Sequence, residues 1–318
     1  MILLSLAPAR IMPEFRGELE AAGDGRDVLI SRDAAEIEPF LDRIEIGMGD
    51  LPYALIPRMP RFKWWQVWSA GADVLQKLPA LKDLPFQMSS VRGIHGQPIA
   101  EHVFAMLLGW NRALGEAFTA QQQRKWLCIT RPLETLNGKT MLILGYGSIG
   151  SAIAKVALSF DMKVIGLRRN PGENESGGEI LMASADRLGE FLPQADHVVN
   201  ILPATPATEK YFGAAEFGLM KKSALYINVG RGRTTCEASL VNALKEKRIA
   251  GALLDVTEKE PLPESSALWD MDNVILTAHY AGWRHDYNRL AMDISLENLE
   301  RYKCGEPLKN PIDKIKGY

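Results

Sequence analysis

The feature that most constrains this chain is an apolar run that ends in a glycine turn. Thr140-Met141-Leu142-Ile143-Leu144 leads into Gly145-Tyr146-Gly147-Ser148-Ile149-Gly150, and Ser151-Ala152-Ile153-Ala154-Lys155-Val156-Ala157 continues as a helix. An unbroken apolar run of this length reads as a parallel strand covered on both faces. The G-x-G-x-x-G spacing then gives each glycine a purpose: a tight turn, close approach of backbone to a pyrophosphate, and close packing of helix on strand. The N–H groups at the helix start would hold the pyrophosphate. Strand, glycines and helix in this order predict a dinucleotide site.

The next strand, Lys163-Val164-Ile165-Gly166-Leu167, ends at the position that reads the adenosine ribose. A site for NAD places Asp or Glu there, accepting from the 2′-hydroxyl. This chain has Arg168-Arg169-Asn170 instead. A carboxylate would repel a 2′-phosphate, whereas a guanidinium binds one with paired charge-assisted hydrogen bonds. The expected cofactor is therefore NADP(H), with NAD(H) the second choice.

At 318 residues the chain is long for one core and comfortable for two domains. A formal net charge of −2, without a basic tract, gives no reason to expect nucleic acid or an anionic membrane as partner. The apolar start, Met1-Ile2-Leu3-Leu4-Ser5-Leu6-Ala7-Pro8, is too short for a signal peptide or a span and reads as a first strand. Cys128, Cys236 and Cys304 are scattered, which predicts no disulfide framework and a cytoplasmic location. No CxxC or HExxH pattern occurs, so no metal site is expected.

In the first hundred residues Val28–Ile30, Tyr53–Ile56 and Phe86–Ser89 are strand candidates, with a helix opening at Gly71–Leu78. One long amphipathic helix is predicted from about Ile99 to Phe118, with Val103, Phe104, Leu107, Leu108 and Trp110 on its apolar side. Residues 119–137 are polar and irregular, apart from Trp126. Beyond 140, strands are predicted at 141–144, 163–167, 197–202, 225–229, 250–256 and 273–278, and a helix from about Asp286 to Tyr302. This alternation is that of a doubly wound, mostly parallel sheet.

Ligands of open parallel sheets collect at the carboxyl ends of the strands. The run Leu225–Gly230 delivers Arg231, the run Ala252–Leu254 delivers Asp255 with Glu260 beyond it, and the run Val274–Ala278 delivers His279. A cation, a carboxylate and an imidazole at one edge fit hydride transfer to a 2-oxo acid. Arg231 would bind the substrate through its planar fork. His279 would give a proton to the oxygen that receives charge, its unperturbed pKa of about 6.5 lying near working pH. Glu260, paired with His279, would orient the ring and raise its pKa.

These segments resemble the D-isomer-specific 2-hydroxyacid dehydrogenase family over nearly the whole chain. Leu144–Gly150 is similar to its fingerprint, and Ile201–Thr208, with Leu202 and Pro203, to the loop under the nicotinamide. Met220–Gly232, with Val229 and Gly230, resembles the arginine-bearing segment; Gly251–Pro263 resembles the glutamate-bearing one and Asn273–His279 the histidine-bearing one. The resemblance implies that Arg231 binds substrate, that Glu260 and His279 form the acid–base pair, and that Asp255 holds the nicotinamide carboxamide. It also implies cofactor contacts at Gly145 to Gly150, Arg168, Arg169 and Gly282. Ser69–Asp73, with Ala70 and Gly71, looks like the turn that receives the substrate carboxylate, and Arg92–Gly96 and Ala100–His102 look like the entry to the interdomain helix.

The implied fold is α/β: two Rossmann-like or flavodoxin-like domains with parallel sheets and an interdomain cleft. A substrate-binding domain, 1–100, would be completed by 287–318, and an NADP-binding domain would span 101–286, with homodimers forming through the latter. Ala278 stands in place of the family's proline and Ala204 in place of its frequent leucine; neither removes a reacting group. Arg168 resembles the NADPH-preferring glyoxylate and hydroxypyruvate reductases, whereas Glu260 argues against formate dehydrogenases, which carry glutamine there. Length argues against the long serine-pathway enzymes with a regulatory domain. Trp283, and Trp64, Trp65 and Trp68, either wall the substrate pocket or pack the domain; walling it would admit a bulkier oxo acid. The competing expectation is a nucleotide-sensing interaction protein, like the corepressors that share this fold.

Overall fold

Successive residues of the apolar strands feed different layers, which is why these runs carry no polar face. In a computed structural model describing residues 1–170 and 179–317, Met141 and Ile143 enter one apolar cluster while Leu142 and Leu144 enter another. Each fully buried leucine or isoleucine stabilises such a layer by roughly 1.5–3 kcal/mol relative to leaving it in water. The chain divides into two units, Met1–Ile94 with Arg284–Tyr318, and His95–Trp283. Residues 171–178 and Tyr318, which the expected domain spans include, lie outside the described residues.

The first unit holds β1 (Ile2–Ser5), β2 (Val28–Ile30), β3 (Ile46–Gly49), β4 (Trp64–Val67) and β5 (Gln87–Ser90), all paired parallel in the order β2-β1-β3-β4-β5. This is the flavodoxin-like order. Ile2 and Leu4 pack on one side with Phe15 and Leu299, the latter from the helix Tyr287–Lys303, and Leu3 packs on the other.

The second unit holds β6 (Thr140–Leu144), β7 (Lys163–Arg168), β8 (Ile180–Ser184), β9 (His197–Asn200), β10 (Leu225–Asn228), β11 (Gly251–Leu254) and β12 (Val274–Leu276). All pair parallel, in the order β12-β11-β10-β9-β6-β7-β8. The order reverses between β6 and β9, the switch point at which doubly wound sheets bind ligands.

The structure corrects several expectations. Tyr53–Ile56 is no strand: it forms turns leading to the 3-10 helix Ile56–Arg58, framed by Pro52 and Pro57 and burying Leu55 and Ile56. The strand there is Ile46–Gly49, hidden in sequence by its glycines; a Cβ on Gly47 would sit 2.5 Å from Leu51. Trp64–Val67 and the outermost strand β8 also escaped the sequence pattern. The long helix is two, Gly96–Asn111 and Leu114–Gln122, separated at Ala113, whose φ is +55°. A left-handed residue ends a helix without interrupting apolar spacing, and Ala113 is itself buried. At Gly71–Leu78 only Val74–Lys77 is α-helical.

One buried group works against stability. His197 opens β9 at 5% exposure, and among the described residues neither of its ring nitrogens has a hydrogen-bond partner. Burial pushes its pKa down to about 4, so the unfolded chain takes up this proton first as pH falls below about 6.5. The stability lost this way accrues between those two values. His197→Leu is expected to stabilise the fold by about 1 kcal/mol or more, with the gap widening as pH drops from 6.5 towards 4. Urea titrations at two pH values check this; a constant or negative gap would contradict it.

Candidate active site

The glycine turn is built on contacts that a side chain would obstruct. Gly145 has φ +94°, and a Cβ there would lie 3.1 Å from the Ile201 carbonyl. The N–H groups of Gly145 and Tyr146 both donate to the Leu167 carbonyl, at 3.0 and 2.8 Å, tying the turn to the strand that ends in Arg168. Gly147 caps the helix Ser148–Ser159 in extended conformation, with no side chain bonded to the helix start. Gly150 is buried against Ile143, Tyr146 and Ile201. Ile149 is half-buried and Ser148 exposed; Arg168 is half-buried and Arg169 exposed.

Two asparagines paired across adjacent strands, Asn200 and Asn228, end β9 and β10. Each side-chain oxygen accepts from the backbone two residues on: Asn200 from Leu202 N at 3.1 Å, Asn228 from Gly230 N at 3.1 Å. Their amides donate into a buried hydroxyl cluster, Asn200 to Tyr226 and Thr234, Asn228 to Thr235. Thr234 Oγ1 donates to the Arg231 carbonyl at 2.6 Å. One network thus fixes the Leu202–Pro203 turn and the Val229–Arg231 segment together. Pro203 is exposed, while Val229 and Gly230 are buried. The Thr257 carbonyl comes so close to Gly232 that a Cβ there would lie 1.9 Å from it, which sets the Glu260 loop against the arginine segment.

Asp255, 3% exposed, follows β11. Its carboxylate accepts from Thr277 Oγ1 at 2.6 Å, Tyr280 N at 3.1 Å and Ala281 N at 3.0 Å, and its carbonyl accepts from His279 N at 2.8 Å. These bonds hold His279 at φ +54°, a conformation costing about 1–3 kcal/mol for a non-glycine residue. His102 Nε2 lies 2.9 Å from Thr277 Oγ1 and 3.7 Å from Asp255; burial lowers its pKa despite that carboxylate.

His279 Nδ1 and Glu260 Oε2 are 2.7 Å apart, and Glu260 Oε1 accepts from Thr257 N at 3.2 Å. The hydrogen bond to Glu260 raises the His279 pKa above its ordinary value, against desolvation and the charge of Arg231. Desolvation pushes the Glu260 carboxyl up, but the bond and charge of His279, Thr257 N–H and Arg231 together bring it below the usual range. Arg231 Nη1 donates to the Gly230 carbonyl at 2.8 Å. The sequence reading missed His95, which is 9% exposed and held neutral by burial and by Arg231, its pKa near 4. Gly282 lies against it: a Cβ there would be 3.2 Å from the His95 ring. Also missed were Asn200, Asn228, Thr277 and His102. The one available signal was asparagine closing two otherwise apolar runs.

In the first unit, Ser69 and Gly71 line a pocket at the strand ends, with Ala70 half-buried between them and Ser69 Oγ donating to the Gly71 carbonyl. Trp65 and Trp68 contribute to its wall yet are each only 3% exposed. Trp64 is core, stacked on Tyr302 and donating to Ser89. Trp283, in the second unit, is 79% exposed.

The family model for the D-isomer specific 2-hydroxyacid dehydrogenase NAD binding domain matches residues 104–281. The glyoxylate/hydroxypyruvate reductase B of Enterobacter sp. (strain 638) is 33% identical over 267 residues, spanning 82% of this chain and 81% of that protein. A D-isomer specific 2-hydroxyacid dehydrogenase from Xanthobacter autotrophicus Py2, solved with NADPH and MES, has a TM-score of 0.85 at 30% identity, covering 100% of this chain and 99% of that one. The NADPH-dependent glyoxylate/hydroxypyruvate reductase of Sinorhizobium meliloti, solved with NADP and sulfate, scores 0.83 at 29% identity, with 100% and 99% covered. The chain belongs to the D-isomer-specific 2-hydroxyacid dehydrogenase family and is an NAD(P)-dependent oxidoreductase.

Proposed function

We propose that this protein reduces small 2-oxo acids to D-2-hydroxy acids at the expense of NADPH, with glyoxylate and hydroxypyruvate as the simplest substrates. The observation that carries this reading is the 2.7 Å pair between His279 Nδ1 and Glu260 Oε2, within the field of Arg231. The names of the relatives and the cofactors bound in the solved structures support it. The residues present fit a dinucleotide: Gly145 and Gly147 keep side chains away from the start of the helix Ser148–Ser159, Arg168 and Arg169 stand where a 2′-phosphate would be read, and Leu202, Pro203, Val229, Gly230 and Gly282 would border the nicotinamide. Asp255, besides carrying the His279 turn, would hold the carboxamide.

When bound, NADPH supplies the hydride that reduces the carbonyl carbon. Arg231 fixes the oxo acid and polarises its carbonyl. His279 has Nδ1 committed to Glu260, so Nε2 is the atom that hands its proton to the carbonyl oxygen. Glu260 keeps the imidazolium populated. In oxidation the neutral ring takes the proton back at the same nitrogen.

Reduction needs protonated His279, so its rate should fall as pH rises through a pKa above 6.5. Glu260→Gln removes the group that raises it and should move this limb to lower pH. His279→Ala should cut turnover by about a hundredfold or more while NADPH still binds, and Arg168→Ala should weaken NADPH far more than NADH. An unmoved pH limb in Glu260→Gln, or full turnover in His279→Ala, would overturn the assignment.

The proposal includes a homodimer. Phe118 and Trp126, 61% and 94% exposed in the second unit, are the apolar side chains that a second copy would cover. Light scattering should return twice the chain mass for the native protein and a single-chain mass for Phe118→Ser/Trp126→Ser. A monomeric native protein would contradict this.

A further inference from the structure

The pocket of the first unit is large for the simplest oxo acids and holds one uncommitted charge. Its volume is about 390 Å³. On this measure about 10–15 Å³ holds one water, so glyoxylate occupies only a small part of the pocket. The pocket opens at the carboxyl ends of β2, β3 and β4, and its charged lining is Arg32, Asp50 and Asp73. Asp50 is paired with Arg10 at 2.8 Å, and Arg10 is in turn held by Asn288 at 3.2 Å and seated over the rings of Trp68 and Tyr287. Asp73 is engaged as well. Arg32 makes no hydrogen bond or ion pair among the described residues.

The acids beside Arg32 in sequence are also occupied. Asp33 accepts from Ala35 N at 2.8 Å and caps the helix Ala34–Ile37. Glu36 accepts from the hydroxyl of Ser31 at 2.6 Å, and Ser31 Oγ accepts from Asp33 N at 3.0 Å. The backbone on either side of Arg32 is thereby fixed. The Arg10–Asp50 pair cancels, which leaves the Arg32 guanidinium and the engaged Asp73 carboxylate as the charged lining; of these the guanidinium fork is the one that matches a carboxylate.

We propose that this pocket selects a 2-oxo dicarboxylic acid, whose 1-carboxylate lies on the Ser69–Gly71 turn and whose distal carboxylate is held by Arg32. Five-carbon 2-oxoglutarate, with twice the heavy atoms of glyoxylate, also fits the space. The inference rests on the reading that the protein reduces oxo acids.

The test compares 2-oxoglutarate with 2-oxopentanoate, which has the same carbon chain without the distal charge. With NADPH, kcat/KM should favour 2-oxoglutarate by about tenfold or more, the scale of a charged hydrogen-bonded contact. Arg32→Gln should abolish that preference and Arg32→Lys should keep part of it. Binding of both acids, followed by quenching of tryptophan fluorescence in native protein and in Arg32→Gln, decides the point without turnover. No reduction of any oxo acid, together with Arg32-dependent binding of 2-oxoglutarate, would sink the reaction and leave the pocket assignment standing. Equal affinity for the two acids, or equal losses in Arg32→Gln, would overturn the pocket assignment.

Discussion

Where a parallel sheet ends, backbone N–H groups lose their ladder partners, and the site depends on how three neighbouring strands replace them. β9 and β10 end on Asn200 and Asn228, and β11 is followed by Asp255. Each of these short side chains accepts from backbone N–H groups of a turn beyond the sheet. The three residues thereby shape the Leu202 turn, the Gly230–Arg231 segment and the His279 turn. The amide nitrogens are satisfied in their turn by the hydroxyls of Tyr226, Thr234 and Thr235, so the network is buried without losing partners. That completeness is what makes it stiff, because a half-satisfied buried network is costly. Geometry at the site is therefore set from beneath, by side chains bonded to the turns above them.

Charge is arranged on top of this platform. Arg231 disfavours protonation of His279, and Glu260 at 2.7 Å outweighs it. At His95 burial and the Arg231 charge act in the same direction, bring the pKa down to about 4 and keep the ring neutral. Two imidazoles in the field of one arginine thus carry opposite protonation tendencies, His279 because of its bond to Glu260 and His95 because of its burial.

Much of this was legible in the chain. Apolar runs that end in glycine, arginine, aspartate or histidine mark parallel strands and what they deliver, because a strand buried on both faces tolerates polar residues only at its ends. Gly145, Gly147 and Gly150 stood out by their spacing; at Gly145 a positive φ and the nearby Ile201 carbonyl disfavour a side chain, and at Gly150 the packing of helix on strand is tight. Strands with interrupted apolarity did not stand out: Gly47 and Gly49 concealed β3, and the end of the interrupted helix at Ala113 leaves apolar spacing intact. The support beneath the site was also invisible. Asn200 and Asn228 lie far apart in sequence, and only the sheet register sets them side by side. The uncommitted state of Arg32 could be seen only once Asp50, Asp33 and Glu36 had been given their partners.

The central claim is hydride transfer from NADPH to a 2-oxo acid at the Arg231, Glu260 and His279 edge. The most direct measurement is the steady-state rate of nicotinamide oxidation by the native protein with glyoxylate and with hydroxypyruvate, each run with NADPH and with NADH. The account predicts turnover with both acids and faster turnover with NADPH. Tight binding of NADPH with no turnover of either acid would contradict it.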